Sequence, residues 1–125
     1  MKKLDKVGEL VLKLNGDLQG LNKYGFRKVS TNSASGFIFV HRKKGIVVKR
    51  PCIVTRKIPQ FAIPTLIIKK RHEYYRFHNV FIQPLADTSN TRLAHTRLID
   101  LGYDKRDHKA DNCGWYRRKP VLLDW

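Results

Sequence analysis

Glutamate occurs only twice in this chain, at Glu9 and Glu73, and all acidic residues together number 10 against 26 lysines and arginines. The resulting formal charge of +16 points to anionic partners: nucleic acid, acidic protein surfaces or nucleotide phosphates. Cysteine is equally scarce. Cys52 and Cys113 are too few for a disulfide framework, and no His or Cys spacing matches a zinc site, so both read as buried thiols. No apolar run approaches the roughly 18 residues of a membrane-spanning helix, and the opening MKKLDKVGEL lacks the apolar centre of a secretory signal. The expected setting is therefore the cytoplasm, without a membrane partner. Internal repeats, low-complexity stretches and linkers are lacking too. With 42% hydrophobic residues over 125 positions, the chain reads as one compact domain with a core of its own.

What is present begins with a helical stripe. Leu4, Val7, Val11, Leu14, Leu18 and Leu21 recur at spacings of three and four, which predicts a helix, with Gly25 ending the region. FRKVS and GFIFVHRK then read as strands joined by TNSAS, and KKG turns into IVVKRP, giving three consecutive antiparallel strands. TLIIKKR and YRFHNVFIQPL add two more. Pro51, Pro59 and Pro64 argue against a regular helix between residues 50 and 65. After Asp87, TSN is a capping signal for a helix through Leu101, stopped by Gly102. The acids are unevenly placed: none lies between Lys49 and His72, and six of the 10 lie from Asp87 onward.

Among those six is a pattern with chemical meaning. KRDHKADN, residues 105–112, is followed twelve residues after its asparagine by the aspartate of PVLLDW. Phosphoryl transfer needs a carboxylate near the attacking hydroxyl, an amide oxygen on one Mg²⁺, and a second carboxylate on the metals bridging the phosphates. Asp107, Asn112 and Asp124 offer those three groups.

At Arg106, Asp107 and Asn112 the segment resembles the protein-kinase pattern H-R-D-x-x-x-x-N, with Lys105 in place of the histidine. Lys109 falls where Ser/Thr-type kinases also carry a lysine. NCGWYRRKPVLLDW looks like the family's short hairpin, with RRK as its turn, VLL as the strand delivering Asp124, and Trp125 where D-F-G has phenylalanine. The resemblance extends upstream over nearly the whole chain from Phe26. Its fold implication is an α+β domain: a kinase N-lobe-like five-stranded antiparallel sheet with an N-terminal helix (1–86), then a minimal C-lobe of one helix, a catalytic-type loop and a short hairpin (87–125).

The resemblance also implies roles. Lys49 of IVVK stands where the family's strand lysine holds the α and β phosphates of ATP. Backbone groups from Gln83 to Leu85 would face the adenine, with Phe81 or Ile82 walling the pocket. Asn112 and Asp124 would hold Mg²⁺, Asp107 would take the hydroxyl proton, and Lys109 would steady the γ-phosphate. The glycine-rich turn is reduced to Gly36, with Ser35 and its neighbouring serines as hydroxyl donors. The interval after the third strand lacks the glutamate that partners the strand lysine, so Glu9 on the N-terminal helix is expected to replace it. The compressed layout resembles the smallest phage-encoded kinases, implying a phage or mobile-element protein that acts on or blocks a host protein with an acidic surface, as a minimal kinase or a pseudokinase.

A different class stays open. Lys43, Lys44, Lys49, Arg50, Arg56, Lys57, Lys69, Lys70 and Arg71 are interleaved with Phe39, Phe61, Tyr74, Tyr75 and Phe77, the mixture of cations and stacking faces that nucleic-acid grooves use. A non-catalytic basic protein that binds nucleic acid, or inhibits a host enzyme by covering its surface, has the same composition.

Overall fold

A computed structural model of the chain describes residues 2–14, 17–29, 38–50, 60–70, 78–103 and 110–123. Over these residues the chain is α+β, with a five-stranded antiparallel sheet, an N-terminal helix and a second, two-stranded sheet. It divides into two compact units, Met1–Val54 with Pro64–Leu85, and Thr55–Ile63 with Ala86–Trp125.

In the first unit, helix α1 (Lys2–Lys13) places Leu4, Val7, Gly8 and Val11 on one buried stripe, with Asp5 in its first turn and Lys13 in its last, each favourable to the helix dipole. The apolar spacing continues past Lys13, but the α-helix does not. Leu18–Tyr24 is instead a separate 3-10 segment, opened by the Asp17 side chain accepting the Gln19 N–H at 3.2 Å. Leu18 and Leu21 lie three apart, a spacing that suits either helix type, so periodicity alone did not reveal the break. Gly25 ends the segment at φ 88°. A Cβ there would meet His41 Nε2 at 2.7 Å, so both conformation and space require glycine.

The sheet consists of β1 (Arg27–Val29), β2 (Ile38–His41), β3 (Ile46–Lys49), β4 (Leu66–Lys70) and β5 (His78–Pro84), in the order β1-β2-β3-β5-β4. Alternation sends Phe39, Ile46, Val48, Val80 and Ile82 into one core cluster with Leu4, Val7, Val11, Leu18, Leu21 and Phe26. Gly8 lets α1 approach closely: an added Cβ would lie 2.8 Å from a Leu66 methyl. The residues between, Val47, Lys49, Phe81 and Gln83, belong to the opposite face.

In the second unit, Asn90 caps α2 (Thr91–Asp100) by accepting the Leu93 N–H at 3.1 Å. Ala94 and Leu98 pack on Cys113 and Leu122, which belong to strands β6 (Cys113–Tyr116) and β7 (Lys119–Leu122). The hairpin is extended on both sides, by an antiparallel bridge from Asp87 to Trp115 and a parallel one from Ala62 to Leu122. Its turn is the two residues Arg117 and Arg118, at φ 49° and 65°. Holding L-residues in this left-handed region costs about 1–2 kcal/mol each.

Candidate nucleotide and metal site

Lys49 is the last residue of β3, and its Cα partner on β5 is Phe81. Because Val48 faces α1, strand alternation turns Lys49 to the other face, where it is only 7% exposed. Gln83, two residues along β5 from Phe81, is 3% exposed, and its amide Nε2 donates to Thr65 Oγ1 at 3.1 Å. Two of the residues singled out from sequence thus share one face of adjacent strands, with Phe81 beside them. Burial of an ammonium group is costly unless an anion or several acceptors compensate it, and Lys49 is engaged by such an interaction within the structure.

The hinge expectation needs correction at Leu85. Its N–H donates to Gly45 O at 2.8 Å, extending the β3–β5 pairing by one step, and Pro84 has no N–H. Neither residue therefore has a free amide hydrogen for an adenine edge. The expected pairing of Glu9 with Lys49 is also corrected. The buried stripe of α1 is centred among Leu4, Val7, Gly8 and Val11, and Glu9 lies roughly 150° away from that centre at 3.6 residues per turn. It is exposed, on a helix that covers the sheet face opposite Lys49.

In the second unit, a short 3-10 turn, Ala110–Asn112, leads into β6. Cys113 pairs with Leu122, and beyond them the Leu123 N–H donates to Asn112 O at 2.7 Å. The hairpin therefore closes Asn112 against the residue that precedes Asp124. Amide and carboxylate oxygens are the hard donors that Mg²⁺ prefers. Asp124 itself, Asp107, Lys109, Ser35 and Gly36 lie outside the described residues. Among the described residues, no three His, Cys, Asp or Glu side chains group to hold a metal.

Two other polar groups have structural explanations. The Asp87 carboxylate accepts the Ser89 N–H at 2.9 Å, a bond that holds its carboxyl below the usual range. The Asp87 backbone is bridged to Trp115, whose indole Nε1 donates to Asn90 O at 3.0 Å. Cys113 is a fully buried thiol whose ionisation is pushed up by desolvation. Since the thiolate is the reacting form, Cys113 should alkylate far more slowly in the folded protein at pH 8 than after denaturation, as followed by mass spectrometry of the Cys113 peptide. Equal rates would show that the core of the second unit is open.

Sequence reasoning counted the lysines of the β2–β3 turn among the binding cations but read RRK of the β6–β7 hairpin only as a turn. Arg42, Lys43 and Lys44 are exposed, with the Lys44 N–H donated to His41 Nδ1 at 3.0 Å. Arg117, Arg118 and Lys119 are exposed as well. The signal available was RRK at a turn between two apolar runs in a chain of +16. No helix among the described residues is long and apolar enough to cross a membrane. No protein-family model matches the chain, and no characterised protein or solved structure is significantly similar to it.

Proposed function

We propose that this chain is a protein-kinase-like domain that binds a purine nucleotide with Mg²⁺. The observation that carries the reading is the closure of the β6–β7 hairpin, where Leu123 N–H donates to Asn112 O at 2.7 Å. This bond joins Asn112 to Leu123, eleven positions later in sequence. In the proposed reading the Asn112 amide and the Asp124 carboxylate share metal ions on a nucleotide. A second support is the burial of Lys49 beside Phe81 on the sheet face that α1 does not cover. In this reading Lys49 holds the α and β phosphates. Asp107 and Lys109 are the groups that would serve an acceptor hydroxyl and the γ-phosphate.

Calorimetric titration with ATP and Mg²⁺, run beside Asp124→Ala at two salt concentrations, tests the reading. Micromolar binding that needs Mg²⁺, disappears in the variant and changes little with salt is expected. Absence of binding by the wild type, or equal binding by Asp124→Ala, would refute it.

A further inference from the structure

The β6–β7 turn is built against its own backbone preference. Two-residue hairpin loops of this kind need positive φ at both positions and for that reason favour Asn-Gly or Asp-Gly. Here the positions are held by Arg117 and Arg118, at φ 49° and 65°. Strain retained at an exposed tip, where simpler residues would relieve it, motivates a functional explanation.

The chemistry of the tip supports one. Arg117, Arg118 and Lys119 are consecutive exposed cations. The Arg117 guanidinium carbon lies 5.3 Å from the centroid of the Tyr116 ring, a contact that orients the guanidinium fork. Among the described residues, none of the three cations has a carboxylate partner.

We propose that the hairpin tip, Tyr116 to Lys119, is a contact site for the phosphate backbone of nucleic acid. Guanidinium forks match phosphate oxygens two at a time, and a narrow turn carrying them can follow a groove. The wider charge distribution favours nucleic acid over an acidic protein. Exposed cations are found on other elements as well: Lys3, Lys6 and Lys13 lie on α1, and Arg42, Lys43 and Lys44 on the β2–β3 turn. A partner bearing dense, uniform negative charge suits such a distribution. The proposal stands apart from the nucleotide reading, because the tip is the end of the hairpin opposite Asn112 and Leu123, about 14 Å away at 3.4 Å per strand residue.

The decisive variant is Arg117→Asn combined with Arg118→Gly, which removes both cations and supplies the residues the turn prefers. Fluorescence anisotropy with a labelled DNA duplex, between about 50 and 200 mM salt, should show weaker binding. The slope of log K against log salt should shrink by about 1.8, from two contacts at about 0.9 each. The same variant should melt at a higher temperature than the wild type. The control Lys3→Gln with Lys6→Gln, which removes equal charge from α1, should lose less affinity. Unchanged affinity and slope in the tip variant, or a loss no greater than the control's, would overturn the proposal. So would wild-type protein that binds polyglutamate but not the duplex. A lower melting temperature for the tip variant would remove the premise of strain.

Discussion

Phe39→Ala should cost about 3–5 kcal/mol of stability. Phe39 is fully buried on β2 and packs in the cluster that joins the sheet to α1 and the Leu18–Tyr24 segment. Its Cα partner on β3 is Val48, itself fully buried, so collapse around the lost ring is restricted on that side. A domain of this size has about 5–15 kcal/mol in total. The substitution should therefore lower the melting temperature by roughly 10 °C or more, and the near-ultraviolet circular dichroism should melt with it. Leu12→Ala is the matched control, since Leu12 on the same unit is 62% exposed and should change stability by about 0.5 kcal/mol or less. Equal effects of the two substitutions would show that the sheet–helix core is assigned to the wrong face.

Lys49→Met should weaken Mg-ATP binding about 10- to 100-fold, the equivalent of a charged hydrogen bond at about 1.5–3 kcal/mol. Methionine retains the length and apolar character of the lysine stem, so the packing between Ile38 and Phe81, the flanking Cα partners, is largely kept. The ammonium alone is lost. Two roles for a buried lysine make different predictions here. A phosphate-binding lysine gives lost affinity with the melting temperature held within a few degrees. A lysine that only neutralises a buried carboxylate gives the reverse, because stranding the partner charge costs about 3–5 kcal/mol while ligand affinity measured on folded protein stays constant. Circular dichroism melts beside the calorimetric titration separate these results.

The sheet was legible because its strands alternate cleanly and their boundaries carry strong turn chemistry. Five strands, the first three antiparallel in succession, and the Asn90-capped helix follow from local patterns, whereas the β6–β7 hairpin was expected from the resemblance. The helix beginning at Lys2 was read too long. Asn15, Gly16 and Asp17 form a turn-and-cap signal that outweighs a continued apolar spacing, and Asp17 does cap the 3-10 segment. The misreading of Glu9 came from its place between Val7 and Leu10 in sequence, whereas residues adjacent in sequence are about 100° apart around a helix. The leucine and valine stripe itself already turns Glu9 to solvent.

The candidate site was less legible than the fold. Lys49 and Gln83 could be placed from strand alternation, and burial of both follows from their strands being central in the sheet order. Leu85 could not, because its amide is engaged by Gly45 through pairing that runs past the end of β3. The juxtaposition of Asn112 and Leu123 depends on a turn length that the Arg-Arg dipeptide does not announce. A two-residue turn needs positive φ, and arginine carries no propensity signal for it.

The central claim is that a nucleotide-bound metal sits at the closed end of the β6–β7 hairpin. Mn²⁺ is a paramagnetic substitute for Mg²⁺, and amide signals nearest to it broaden first. The most direct measurement is therefore a set of ¹⁵N correlation spectra recorded with ATP and substoichiometric Mn²⁺. The account predicts early loss of the Asn112, Cys113 and Leu123 signals, persistence of Arg117 and Arg118 at the far end of the hairpin, and no selective loss in Asp124→Ala. Broadening confined to exposed acids such as Asp5 and Asp100, or spread evenly over the spectrum, would contradict it.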